Sequence, residues 1–300
     1  VNIWDTLTGE CLRTFTEEAS YIRSVAISPN GSMLAYSGSD YTVKILEVHT
    51  GKCIHNLQGH TFWIRSVAFS PDGQLVATGG QDDTVKIWDV LTGKCLQTLH
   101  EHISQVNCVC FGKHNDILAS GSSDHTVKIW NLKLGKAIKT LKGHTNWVQS
   151  IAFSPNGETL VSGGLDHAVM LWDTQTGECL NTFQGHSSWI KSISFSPDGK
   201  VFASTGENKR IKLWNVSTGE CISEMQGHTE WVHALHFHPG NSILASSSDD
   251  RTIRLWNIHT GNCLNIFQGH THWVRTCAFS PDGTMLASGG YDATVRLWNV

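Results

Sequence analysis

The sequence predicts an all-β fold built from seven copies of one 42-residue unit, and three observations lead there. Strand-ending Trp-Asp or Trp-Asn pairs stand at Trp4, Trp88, Trp130, Trp172, Trp214, Trp256 and Trp298, each a multiple of 42 residues from the others, with Leu46-Glu47 in the one skipped register. Gly-His pairs keep the same step at His60, His144, His186, His228 and His270, with Glu101-His102 in the remaining place. The apolar runs between these markers are short and rich in β-branched and aromatic residues, as strands are. A period of roughly 20–50 residues marks a solenoid, propeller or array, so residues 1–300 read as one repeat domain rather than the two that length alone suggests.

The unit from His60 to Leu99 shows how each element arises. Trp63-Ile64-Arg65-Ser66-Val67-Ala68-Phe69 is a first strand, closed by Ser70-Pro71-Asp72-Gly73. Pro at the second turn position and Gly at the fourth favour a type I turn. Leu75 to Thr78 is a second strand, ending in Gly79-Gly80-Gln81-Asp82-Asp83, and Thr84-Val85-Lys86-Ile87-Trp88 is a third. Leu91-Thr92-Gly93 turns into a fourth, Lys94 to Leu99. Four strands in 42 residues leave no room for a helix. The units begin near residues 18, 60, 102, 144, 186, 228 and 270. Four-stranded units of this length, set radially, bury both faces of every sheet against their neighbours, which is a β-propeller.

Composition narrows the function classes. A hydrophobic content of 40% in 300 residues supports a large core. Charged residues make up 16% and the net charge is −4, which argues against a disordered tail and against a nucleic-acid-binding surface. No apolar run approaches the ~20 residues of a membrane span, and a cytoplasmic location is expected. The chain opens at Val1 in mid-repeat and is expected to be a fragment of a longer one.

Six of the nine cysteines (Cys11, Cys53, Cys95, Cys179, Cys221 and Cys263) recur at the repeat period, with Ala137 in the seventh slot. Equivalent places in different units lie far apart, whereas a disulfide needs Cα atoms within about 7 Å. They are expected to be small buried hydrophobes in a reducing compartment. Cys108 and Cys110 lie on a predicted inner strand, with no second pair at zinc-site spacing.

The run Gly-His-Thr-x-Trp-Val/Ile, Ser-Pro-Asp-Gly, Asp-x-Thr-Val and Trp-Asp resembles the WD-repeat β-propeller family from end to end. It is most similar to the regular bacterial and cyanobacterial type, often fused to signal-transduction NTPases or kinases. The resemblance implies seven blades and a ring closed by a strand from the opposite terminus, which removes exposed edges. The N-terminal strand 10–15, from Cys11 to Phe15, is expected to pair with Thr294–Val300 and complete the last blade. Val1–Asp5 would then be a spare third strand.

His60, Thr78, Asp82 and Trp88 contain the residue types of a hydrolase triad. The same slots recur as His102/Ser120/Asp124/Trp130, His144/Ser162/Asp166/Trp172, His228/Ser246/Asp250/Trp256 and His270/Ser288/Asp292/Trp298. An enzyme has no use for five copies round a ring, whereas every blade needs the same internal fastening. The resemblance implies a hydrogen-bonded chain at these positions, and the chemistry suits it: Trp offers one N–H, Ser/Thr donates and accepts, and ionised Asp only accepts. Two blades depart. Blade five has Asn208 in place of Asp, and blade one has Glu18, Tyr36 and Leu46 in place of His, Ser and Trp, keeping only Asp40. Blade one should open first, as the weaker units of repeat arrays do.

Trp63, Trp147, Trp189, Trp231 and Trp273 open the first strands just after the Gly-His loop, with Tyr21 equivalent in blade one and Gln105 interrupting in blade three. Two residues on stand Arg23, Arg65, Asn107, Gln149, Lys191, His233 and Arg275. Aromatics beside Arg at a shared rim have the composition of interface hot spots. In the resembling family this end of the ring, beside the central channel, often carries the partner site. The residue before the turn Asp (or Asn208) varies: Ser39, Gln81, Ser123, Leu165, Glu207, Asp249 and Tyr291. Variation at one slot of a uniform scaffold is a way to specify one ligand. His233, His236 and His238 crowd one strand, but His233 points away from the other two unless a bulge intervenes, so no metal is expected.

The expected function is a non-catalytic protein- or peptide-binding scaffold or sensor within a larger signalling protein, using neither cofactor, nucleic acid nor membrane, with its effector domain in the same parent chain. The alternatives are a structural or oligomer-forming ring and, further off, an enzyme using the central channel.

Overall fold

The structure is a computed structural model that describes residues 21–240 and 242–300, together with the backbone of residues 2–5 and 10–14. The described residues form strands and turns and no helix. Six of the seven sheets have four successive antiparallel strands, as in blade two: Ile64–Phe69, Leu75–Gly80, Val85–Asp89 and Cys95–Leu99; the seventh has three, Val274–Phe279, Met285–Gly290 and Val295–Asn299, extended by N-terminal residues. The first strand of each blade packs against the first strands of its neighbours, and the fourth is outermost. This is a seven-bladed β-propeller.

The core lies between blades. Ala35, Val43, Ile45 and Leu57 of blade one meet Ile64, Val67, Val76 and Trp88 of blade two, and the pattern repeats round the ring. Blade one closes on blade seven in the same way, Ile22, Tyr36 and Leu46 packing with Ala287, Val295 and Leu297. Blades approach closely at the second strands: a Cβ on Gly79 would lie 2.7 Å from Val106 Cγ1 of the next blade. The second-to-third-strand turn holds a left-handed residue in every blade, with φ from 58° at Ala293 to 69° at His125 and Arg251.

A second fastening joins the inner strands. In blade two a bulge between Ile64 and Ser66 interrupts the pairing with the second strand. The amide of Val67 then donates to Ser24 Oγ of blade one at 3.1 Å. The same bond recurs from Val109 to Ser66, Ile193 to Ser150, Leu235 to Ser192 and, across the closure, Val25 to Thr276, at 2.9–3.2 Å. Cys108 and Ala234 occupy the two remaining hydroxyl slots.

The closure differs from expectation. The strand over 10–15 does not pair with the last third strand, Val295–Asn299. Asn2–Asp5 takes that edge in parallel, Asn2 facing Arg296 and Ile3 facing Leu297, and Glu10–Thr14 pairs antiparallel with Asn2–Asp5. Blade seven's sheet therefore has five strands, and Asn2–Asp5 is not spare. The physical reason is local: two consecutive strands form a hairpin at little loop-closure cost, and the hairpin docks as a unit. Val1, Phe15 and Glu18 lie outside the described residues.

The periodic cysteines are also corrected. Cys53, Cys95, Cys179, Cys221 and Cys263 are free and exposed. They begin the outermost strands, which have a neighbour on one side only and turn these residues to solvent. The side chain of Cys11 is outside the described residues. Cys108 and Cys277 are buried, and burial pushes the thiols of Cys110 and Cys277 up to about 12.

Candidate functional site

Every intact blade ties its second, third and incoming strands with one chain of polar groups. In blade two Trp88 Nε1 donates to Thr78 Oγ1 at 2.9 Å, His60 Nε2 meets that hydroxyl at 2.7 Å, and His60 Nδ1 lies 2.8 Å from Asp82. Blades three, four, six and seven repeat it through His102, His144, His228 and His270, with His-to-Ser distances of 2.7 Å and His-to-Asp distances of 2.6–2.8 Å. Burial raises the Asp82 carboxyl, but the His60 hydrogen bond and charge, the Thr61 amide and the Thr84 hydroxyl outweigh it and hold it well below the ordinary range. Asp124, Asp166, Asp250 and Asp292 are lowered by the same balance. The hydroxyls of Thr78, Ser120, Ser162, Ser246 and Ser288 belong to residues that are 0% exposed. Out of contact with solvent, they bond the second and third strands of each blade to the incoming loop.

Blade five keeps the Trp214–Ser204–His186 links at 2.7 and 2.6 Å, but Asn208 approaches His186 Nδ1 only at 3.3 Å. Burial first, then the charge of Lys212, pushes His186 down to about 4. In blade one Tyr36 and Leu46 are buried, and Asp40 accepts from the Thr42 hydroxyl at 2.9 Å and Lys44 at 3.2 Å.

The mouth of the channel is built differently. Tyr21, Trp63, Trp147, Trp189, Trp231 and Trp273 are each 36–49% exposed. The backbone carbonyls of the tryptophans accept from the amides of Gln81, Leu165, Glu207, Asp249 and Tyr291 at 2.9–3.2 Å, which sets the variable turn beside the aromatic in these five blades. The cations two residues on lie over these rings: Arg23 at 4.7 Å from the Trp63 centroid, Lys191 at 4.9 Å from Trp189, and Arg275 at 5.0 Å from Trp273 and 4.5 Å from Tyr291. Arg23, Arg65, Gln149, Lys191, His233 and Arg275, with Trp231 and Tyr291, enclose a cavity of about 330 Å³. Asn107 does not join them; it is buried and donates to Ser123 and to the Val148 carbonyl.

The residues that sequence reasoning did not connect are the acids. Glu207 lies 3.3 Å from Lys191, and Asp249 lies 2.8 Å from His233. Burial lowers Lys191 and His233 first, and their acids work against it. The signal was present: in each blade the inward residue and the variable residue stand 16 positions apart, as in Lys191/Glu207, His233/Asp249 and Arg275/Tyr291.

Residues 1–173 match the family model described as WDR3 first beta-propeller domain, and residues 177–215, 219–257 and 261–299 each match the WD domain, G-beta repeat. The chain belongs to the WD-repeat β-propeller family. Among curated proteins none matches. WD-repeat propellers are a common protein-interaction scaffold and generally non-catalytic. At the other end of this WD-repeat channel a cavity of about 510 Å³ is lined by Phe69, Phe111, Phe153 and Phe195 with Pro71 and Pro155. His236 and His238 bond to the carbonyls of Phe237 and Gly283, away from His233, and no group of three metal-ligating side chains occurs among the described residues. None of the described residues forms a helix long and apolar enough to cross a membrane.

Proposed function

We propose that this WD-repeat ring is a non-catalytic scaffold or sensor that binds a protein or peptide at the aromatic-basic mouth, as one part of a larger cytoplasmic signalling protein. One observation carries the reading: a cavity lined by Arg23, Arg65, Lys191, His233 and Arg275 with Trp231 and Tyr291 opens at the mouth, and three of its cations stack on the half-exposed Trp63, Trp189 and Trp273. Large aromatics and Arg supply most of the binding energy at protein interfaces because they bury much area for little lost conformational freedom. An effector domain in the same parent chain, of the signal-transduction NTPase or kinase class, would convert capture into signal. The low charge content and net charge of −4 favour a protein partner over nucleic acid.

The test is capture from a lysate of the source organism by the wild type and by Trp147/Trp189/Trp231→Ala, with partners identified by mass spectrometry. Loss of a specific partner from a variant that still melts as the wild type does is the expected result. Undiminished capture by that variant would move the partner site off this face.

A further inference from the structure

The circumference of the ring carries one irregular edge. The fourth strand of blade six, Cys263–Gln268, ends its sheet, and no described strand pairs with its outer side. Its sequence, Cys-Leu-Asn-Ile-Phe-Gln, holds no charge. The same strand of blade three carries Lys136, Lys139 and Lys142, the kind of residue that keeps an open edge from pairing. Leu264 and Ile266 are 53% and 41% exposed. Ile266 stands where blades two, three and four have Thr98, Thr140 and Thr182 and blade five has Glu224. That slot faces the third strand, and in three blades it takes a hydrogen bond from the cation there: Lys86 donates to Thr98 at 3.1 Å, Lys128 to Thr140 at 3.0 Å and Lys212 to Glu224 at 2.7 Å. In blade six the facing pair is Arg254 and Ile266, so the acceptor is lost. Arg254 lies 6.0 Å from the Trp256 ring centroid. Its side chain makes no hydrogen bond or ion pair among the described residues, and its Nε is buried without a partner.

Blade three shows what fits beside such a cation. Glu101, in the slot that holds Gly59, Gly143, Gly185, Gly227 and Gly269 elsewhere, accepts from the Ala137 amide at 2.8 Å and lies 3.9 Å from Lys128. The blade-six equivalents of Glu101, Ala137 and Lys128 are Gly227, Cys263 and Arg254. Cys263 faces Trp256 as Ala137 faces Trp130, with the same register shift beside it, so its amide is turned to the same outer edge. A Cβ on Gly227 would lie 2.7 Å from Arg254 Nη1, which puts the guanidinium directly over this glycine. Blade six thus keeps the cation and the amide and supplies no carboxylate. A buried N–H without an acceptor is costly, and a guanidinium takes a carboxylate through two parallel hydrogen bonds. An extended segment adds to an open sheet edge through main-chain hydrogen bonds, while its side chains set specificity. We propose that the outer edge of blade six is an interaction surface, separate from the mouth and independent of its reading, for an extended strand of a partner protein. An Asp or Glu of that strand reaches Arg254 and the Cys263 amide, and its apolar side chains lie against Leu264 and Ile266.

The experiment measures binding of a fluorescent library of short β-branched peptides with glutamate fixed at the centre, and of the same library with glutamine there. The wild type is expected to hold the glutamate library about tenfold more tightly, the worth of one charge-assisted pair. Arg254→Gln should erase that preference and leave the glutamine library as it was. Ile266→Lys should weaken both libraries, because it places a charge on the edge. Gly227→Glu should fill the site from within, as Glu101 does in blade three, and abolish the preference. Its melting temperature should not fall, since the backbone of Gly227 is not left-handed and the new carboxylate meets Arg254; this variant therefore separates a binding defect from a folding one. The Trp147/Trp189/Trp231→Ala variant should bind both libraries as the wild type does, and loss there would put the peptides at the mouth and overturn the inference. Equal or absent affinity for the two libraries would overturn it, as would a glutamate preference that survives Arg254→Gln. So would self-association of the unliganded protein in sedimentation that Ile266→Lys abolishes, which would make a second copy of this chain the occupant of the edge.

Discussion

Blade five isolates, at the scale of single residues, what the carboxylate of the network does. His186 keeps its hydroxyl and tryptophan but faces Asn208, and it falls to about 4. In the unfolded chain a histidine titrates near ~6.5. The folded value is the lower one, so the unfolded state takes up the proton first as pH falls. The contribution is complete above about pH 6.5 and is lost progressively down to about pH 4, by up to about 3 kcal/mol. Asn208→Asp gives the imidazolium a partner, raises the folded value and removes most of that loss. It should also add about 1–2 kcal/mol at neutral pH through a charge-assisted bond. Melting temperatures at pH 7.5 and 5.0 check this: the variant should exceed the wild type at both, by more at pH 5.0. A gain no larger at pH 5.0 would mean that the aspartate does not reach His186. These roles were legible in the sequence because only a few residue types can pass hydrogen bonds from Trp to Asp, and five copies showed the same four. The exposure of Cys53, Cys95, Cys179, Cys221 and Cys263 was not legible, since it depends on which strand lacks an outer neighbour rather than on residue type.

At the scale of elements, the strands and turns follow from the repeat, while the joints between blades do not. Ser24, Ser66, Ser150, Ser192 and Thr276 read as ordinary strand residues until the inner-strand bulge exposes an amide on the next blade. The bulge has no sequence marker, although a count by period shows a small hydroxyl in five of the seven slots. Ala234 marks one of the two joints without it. Ala234→Ser should supply an acceptor to the Cys277 amide and add about 0.5–1.5 kcal/mol. In a chain of this size that is a rise of about 2 °C in melting temperature. A fall of similar size would show a buried hydroxyl left unsatisfied instead. The ring closure was misread for a related reason. Residues 2–5 repeat the register of the last third strand, so the sequence alone allowed either strand of the hairpin to dock, and geometry chose the inner one.

Across the whole molecule, blade one is both the weakest unit and the middle of the arginine arc. Each network tryptophan buries roughly 150–250 Å², or about 4–6 kcal/mol at about 25 cal/mol per Å², whereas a leucine contributes about 1.5–3 kcal/mol. Leu46 therefore leaves blade one several kcal/mol short, and Tyr36 stands in the slot that Ser or Thr fills in the other blades. It is held by its core with blade two and by the junction with blade seven: the Ile22 amide on the Gly290 carbonyl at 3.1 Å, Val25 on Thr276, and Tyr21 stacked on Tyr291 at 4.7 Å. Local opening should begin here. Amide exchange across residues 21–57 is expected to run about 100-fold faster than in blade six, and equal protection in the two blades would refute it. Opening blade one also takes Arg23 from between Arg275 and Arg65. A peptide seated in the cavity that Arg23 helps to line binds only the closed ring, so it must stabilise blade one by an amount that grows with the logarithm of its concentration above Kd. At a hundredfold excess over Kd that is about 2.7 kcal/mol, so a saturating partner peptide should slow exchange over residues 21–57 by close to 100-fold and leave the outer strands of blade four unchanged. Slowing in all blades alike would mean that the ligand grips the whole ring rather than this arc.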